Sequence, residues 1–348
     1  MENVFEKKPV VLNMDAAQRE TLFKNIIENT RTMMGDRYDA VNAPNMALFF
    51  ENELESIENT LYETVHEENN YAEDVVVDSS DPQGAETVGF IMSDMVGKAK
   101  IINRNSNDIP KATTFMRKYT ENVHTLGLGA DWSYWDIANA MLAGRPLEKQ
   151  YIEAVRQGHM DAINEFFYEG DTGLNAAGLV NNPSITVTAS IAGAVSSATA
   201  LTAMTSADII AWFGYYRQLI NTACGRNRRA SADTVRLPGK QYDVLATKMV
   251  DTGNGSNVFL LDLLLNAKGM GFKSIEPRDV LSGKAANGSD DRAVFYNSTK
   301  EALVYKIPAM MVPFPIFQQG SRFTLEVHTR LAPVQFRYEI GAMYVDGM

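Results

Sequence analysis

Reaction chemistry needs a nucleophile, an acid–base pair, a phosphate cradle or a metal-ligand set, and each has a fragment in this 348-residue chain. The four histidines, His66, His124, His159 and His328, fall in separate segments without ligand spacing. A lone histidine is more often a surface or satisfied core group than a ligand. Cys224 is the single cysteine and sits near Arg226, Arg228 and Arg229, a setting that can depress a thiol pKa. Its position in a helical apolar stripe favours a small core residue instead. Gly283 to Ser289 (GKAANGS) has the glycines of a phosphate loop but not the closing Lys-Ser/Thr pair that meets phosphate and Mg²⁺. Gly253-Asn254-Gly255 is a turn signal rather than a dinucleotide fingerprint. Asp290-Asp291 has carboxylates for a cation, but a solvated loop is the better explanation of the pair. The Gly170-Asp171 turn is explained by helix termination. The 17 methionines fit adaptable packing surfaces better than a cofactor site. The expectation is a chain with no catalytic residue, no cofactor and no metal.

The charges point elsewhere. Net charge is -11, and residues 1–80 hold 6 Lys and Arg against 17 Asp and Glu, so the excess is confined to that end. Residues 51–80 contain ten acids and no Lys or Arg. Gly97–Lys118 is the reverse, with Lys98, Lys100, Arg104, Lys111, Arg117 and Lys118 against Asp108 alone. A protein that grips nucleic acid needs a basic face to neutralise phosphates, and the chain as a whole lacks one. Beside nucleic acid it would enclose rather than bind tightly. Two readings of the opposed charges stand: the acidic segment, with Glu51, Glu55 and Glu58, meets the basic hairpin of another subunit, or both faces are simply solvated.

Hydrophobic residues make up 45% of the chain, enough for sizeable cores in one or two domains. There is no signal-peptide pattern and no apolar run of spanning length, and the chain starts at Met1. These features predict an intracellular, soluble product without a removed leader. With one cysteine, no intrachain disulfide can form.

The elements follow from spacing. Residues 1–70 read as an arm: Asp15 caps a helix ending at Gly35, and Phe49, Phe50, Leu54, Ile57, Leu61 and Val65 form a second helical stripe opposite a run of Glu. Asp78 to Gly84 is a loop. Gly97–Leu128 reads as a long hairpin with its tip at 105–110 and its base at Gly127-Leu128-Gly129. Its return strand, 112–126, would span about 50 Å fully extended, and neither face is apolar throughout. Such a hairpin needs surface from another chain. Trp132, Tyr134, Trp135, Ile137 and Met141 mark a short aromatic helix. Pro146 then opens a helix reaching Tyr168, about 33 Å long, whose stripe is Leu147, Tyr151, Ala154, Val155, Ala162, Ile163 and Phe166. Residues 185–308 alternate short strands and helices as an α/β module, including a helix capped by Thr205 and Asp208. The last segment predicts two period-two strands, 322–328 and 334–340, paired antiparallel around a turn at Thr329–Pro333.

This order resembles the major capsid proteins of tailed bacteriophages, the Hong Kong 97 fold. The matching pieces are the acidic arm, the hairpin, the Pro146–Tyr168 spine, the closing strands, and the turn Gly170-Asp171…Gly178-Leu179-Val180-Asn181-Asn182-Pro183. Asn107-Asp108-Ile109-Pro110 and Ile307-Pro308 look like one subfamily of phage capsids. The resemblance implies an α+β fold with an N-terminal arm (1–70), a linker and extended loop (71–128), a peripheral domain containing the spine (129–184), an inserted axial domain (185–308) and peripheral return strands (309–348). It also implies hexamers and pentamers closing into an icosahedral virion shell around double-stranded DNA, assembled in the host cytoplasm with decoration, scaffold and portal proteins as further partners. Axial loops would then carry Asn254 and Asn287. Encapsulins share the fold, so a cargo compartment is the alternative, and a soluble α/β enzyme a more distant one. Covalent cross-linking between subunits is left open, because suitable Lys and Asn residues are plentiful.

Overall fold

The computed structural model describes residues 21, 24, 68–101, 109–142, 147–225, 227, 230–251, 257–266 and 270–348. The chain divides into two units, Met1–His66 and Glu67–Met348. In the first, Thr21 and Lys24 are helical and exposed. The two expected arm helices otherwise lie outside the described residues, and all that follows concerns the second unit.

A one-turn helix, α1 (Tyr71–Asp74), opens that unit and is followed by a short strand, Val76–Asp78. Two long strands come next, β1 (Thr87–Val96) and β2 (Thr113–Asn122), paired antiparallel over ten residues. The chain kinks at Val123 and continues as β3 (His124–Ser133). A helix of aromatic start, α2 (Tyr134–Leu142), and the spine helix α3 (Leu147–Tyr168) follow.

The hairpin therefore differs from its expected form. The return strand is not one piece to residue 126: it breaks at Val123, whose N–H bonds to Glu86 O at 2.9 Å, and the rest belongs to a different sheet. Its outgoing strand begins at Thr87, ten residues before Gly97, and Gly97–Lys100 continues beyond the paired region. Gly127-Leu128-Gly129 is not the hairpin's base but the middle of β3. Alternation cannot reveal such a break, because both halves keep the same period of two.

β3 pairs along its whole length with β4 (Arg322–Leu331), from Arg322↔Ser133 to Leu331↔His124. Ala309–Pro313 and Phe317–Gln319 flank β4 on its other edge. One face of this sheet packs on α3: Trp132, Val155, Leu325 and Val327 are buried together, with Tyr151 stacked on Trp132 at 5.9 Å. The spine stripe holds at Val155, Ile163 and Phe166, while Ala154 is exposed and the polar Asn164 is buried.

The expected pairing of 322–328 with 334–340 does not form. β4 takes β3 instead; Gln335–Phe336 is a two-residue strand beside Leu303–Lys306, and Glu339–Gly341 is a 3-10 turn. The true last strand, Met343–Asp346, inserts into the sheet of the α/β module. That five-stranded sheet has the order 274–277, 234–237, 292–296, 343–346, 186–189. The outer pairs are parallel and the inner ones antiparallel. On it lies α4 (Ser206–Cys224), with Ile209, Trp212, Phe213, Tyr216 and Ile220 buried. Thr205 caps α4 as its spacing predicts, accepting from Asp208 N–H, and Gly225 closes it at φ +60.

Candidate assembly surface

The hairpin meets the body at its root. Val88 is buried, the rings of Phe90 and Tyr119 stack at 5.1 Å, and the Arg337 guanidinium sits 5.5 Å from the Phe90 ring. The cation is attracted to the ring's negative face, so this contact ties the root to the body. Beside it, burial raises the Glu121 carboxyl above its ordinary pKa. Beyond the root, every residue from Ile91 to Ile101 and from Ile109 to Lys118 is exposed. Ten paired residues extend about 33 Å. Met95 is 78% exposed and Met116 72%, and Ile91, Val96, Phe115 and Ile109 also stand in solvent. Isolated exposed apolar residues are ordinary, but a ribbon studded with them is a contact surface.

Of the basic residues read from the sequence, Lys98, Lys100, Lys111, Arg117 and Lys118 all lie exposed on this arm or its extension. Arg104 and Asn107 lie outside the described residues, as do Glu51, Glu55, Glu58 and Asn254. Asn287 is at an exposed turn, where its Oδ1 accepts from Ser289 N–H and Asp290 N–H at 3.1 Å and its Nδ2 donates to Asp290 at 2.6 Å. The structure thus gathers the hairpin cations and places Asn287 well away from them in sequence and sheet.

The exit from the spine explains its odd sequence. Gly170 sits at φ +65 and Asn175 at φ 53, left-handed conformations that favour Gly and Asn. Asp171 accepts from Gly173 N–H at 2.7 Å. Gly178 passes so close that a Cβ would meet Tyr168 O at 2.2 Å. Asn181 then clamps the turn, accepting from Gly178 N–H at 2.7 Å and donating to Glu169 O at 2.5 Å. Each residue type is fixed by backbone geometry, not chemistry.

A buried ionic knot, not legible in the sequence, holds α1 against the spine and the α/β sheet. The fully buried Asp74 carboxylate accepts from Arg236 Nε at 2.6 Å, Arg278 Nη2 at 2.7 Å and Tyr168 Oη at 2.5 Å, while Tyr296 Oη donates to Asp74 O at 2.9 Å. Burial first, and then the Asp74 charge, pushes the Tyr168 phenol far above its ordinary range. The donors converge from residues 168 to 296 in the chain, so no local motif could announce them.

The chemically suggestive residues are occupied structurally. His159 lies buried between Val327 O at 2.9 Å and Thr329 Oγ1 at 3.3 Å, and His328 stacks edge-on with Phe314. Cys224 Sγ faces Ile340 O, and burial pushes its thiol up, the opposite of an activated nucleophile. Asp291 accepts from Gly283 N–H within its own loop. Among the described residues no cluster of His, Cys, Asp and Glu could hold a metal ion. Among them, too, no helix is long and apolar enough to cross a membrane.

A long spine under a sheet, a hairpin standing off the body and an α/β module completed by the last strand define a shell-building subunit. The capsid of the myovirus phage XM1 is similar over 90% of this chain and 100% of its own, at TM-score 0.71 and 17% identity. The capsid of a native GTA particle is similar over 88% and 99%, at 0.60 and 14%. A chain of Mycobacterium phage Adephagia is similar over 86% and 92%, at 0.54 and 12%. No curated protein matches. The model of the major capsid protein family matches residues 97–348, and the chain belongs to that family. It is a structural protein of the virion shell with the Hong Kong 97 fold, not an enzyme, and the family favours this over the encapsulin-like alternative.

Proposed function

We propose that the chain assembles as hexamers and pentamers into an icosahedral shell enclosing double-stranded DNA, formed in the host cytoplasm, with portal, scaffold and decoration proteins as further partners. The hairpin of each subunit docks on a neighbour. One observation carries this: ten paired residues with exposed Met95, Phe115 and Met116 meet their own body around Val88, Phe90 and Tyr119. A two-stranded ribbon is marginal alone, and a neighbouring copy supplies the missing surface. The balanced charge of residues 81–348, 26 basic against 26 acidic, suits enclosing DNA rather than gripping it.

The module at 185–308 lies toward the hexamer and pentamer axes, with Asn254 and the turn at Asn287 lining the central opening. Asn287 sits at an exposed turn with Gly288 at φ +73, a shape suited to a loop tip. Electron microscopy of the purified protein tests both readings. Closed shells with the module ringing each axis are expected. Open sheets, or Asn287 remote from every axis, overturn them.

A further inference from the structure

Residues directly opposed across an antiparallel pair share a face. Val88, Phe90 and Phe115 share the face that begins on the chain's own body, where Val88 is buried. Ile91, Met95 and Met116 share the other. Met116 lies opposite Ser93, so Ile91 and Met95 are its two diagonal neighbours. At about 7–8 Å such neighbours are within reach of long side chains. The three form one exposed apolar cluster, and Met95 and Met116 are the most exposed methionines among the described residues, with Met249 next at 51%. A neighbour's body continuing the Val88 face leaves this cluster in water, so its cover has to come from a further copy.

The chemistry of the cluster sets it apart from an ordinary apolar contact. A thioether is soft and adaptable in packing. A hydroperoxide turns it into a sulfoxide: the peroxide O–O bond breaks, one oxygen joins the sulfur, and the other leaves as water. Sulfur loses the two electrons that the peroxide gains. The product is polar, which disrupts a methionine-rich interface, and it is reversible by reductases. We propose that Met95 and Met116 are a redox-sensitive assembly contact. As thioethers they pack with Ile91 against a further copy; as sulfoxides they keep the unassembled chain out of the shell. Both side chains stand outside the core, so the oxidised chain keeps its fold. The inference rests on the reading that the hairpin docks on a neighbour, and adds a chemical control of that docking.

The test treats unassembled protein with dilute hydrogen peroxide, maps the products by peptide mass spectrometry, removes the peroxide and starts assembly. Met95 and Met116 should gain oxygen before the other described methionines, and closed particles should be lost. Repair by the two methionine sulfoxide reductases, one for each epimer, should bring the particles back. Met95→Leu with Met116→Leu, a volume-conserving exchange, should assemble and stay competent after the same treatment. In finished shells the two methionines should react more slowly than in free subunits. Normal assembly of chains carrying both sulfoxides overturns the inference. So do equal oxidation rates in shell and subunit, a loss that repair does not reverse, or a Leu variant that peroxide still blocks. Phe115→Glu, on the opposite face, separates the two ideas. Normal shells from that variant sink neighbour docking itself, whereas lost shells alongside normal assembly of the oxidised parent sink only the redox contact.

Discussion

Arg278 donates from Nη2 to the Asp74 carboxylate at 2.7 Å across 204 residues of chain, with Asp74 fully buried and Arg278 nearly so. This pair closes the unit: its acid belongs to α1, at the point where the described body begins, and its base to the far edge of the α/β sheet. A buried pair adds little net stability when intact, because both charges lost their hydration. Removing one partner is different, since Arg236 and Arg278 then lose their buried acid and keep the half-exposed Glu276. Asp74→Ala should cost about 3–5 kcal/mol, read as a lower urea midpoint for the unassembled protein. A change near zero would show that water replaces the carboxylate.

Acid should weaken the same body through two other carboxylates. Asp208 is held below the ordinary range, chiefly by the Val195 N–H, with Ser196 and Thr205 adding to it. Burial pushes Asp233 up, but Lys273, Ser298 and Thr234 outweigh it and leave the group lowered. For an acid with a depressed folded pKa, the stabilisation is present above the unfolded pKa of about 4 and lost as pH falls through the folded one. The melting temperature should therefore drop below about pH 4. The deficit of Asp208→Asn against the parent should be largest at pH 6 and shrink toward pH 2. A deficit constant across that range would contradict the linkage.

Local signals were readable where one element decides its own form. Thr205 and Gly225 bound α4 as their types require, and Gly170 and Asn181 marked the spine's end. The hairpin's cations and its lack of an apolar face were legible for the same reason. What failed was pairing. Thr87–Val96 alternates no better than a loop, and 334–340 alternates cleanly yet supplies a two-residue strand and a turn. Partner choice depends on tertiary packing: Met343–Asp346 is drawn between 292–296 and 186–189 because its Met343, Tyr344 and Val345 are buried there. The Asp74 knot was hidden by the same non-locality.

Gly178 tests the reading of the spine exit. A methyl there would lie 2.2 Å from Tyr168 O and 2.5 Å from Tyr168 C, both backbone atoms that cannot swing aside. Gly178→Ala should cost about 1–3 kcal/mol, the range for overpacking. Gly84→Ala, with nothing within 4 Å, is the control and should be near neutral. Equal melting temperatures for the two variants would show that the turn relaxes freely.

Phe115 and Met116 are sequence neighbours on opposite faces of the hairpin, 58% and 72% exposed. Placing Glu at either should barely move the stability of the unassembled chain, since exposed substitutions usually stay within about 0.5 kcal/mol. In a shell the two positions report on different partners. Phe115→Glu puts a charge on the face that carries Val88 and Phe90, where a neighbour's body is proposed to seat, and Met116→Glu puts one on the opposite face. Burying an unpaired carboxylate is costly at either place. Both variants should fold and both should fail to yield closed particles by sedimentation and microscopy. If Met116→Glu assembles at the parent rate while Phe115→Glu does not, the hairpin lies against one partner with its outer face in solvent.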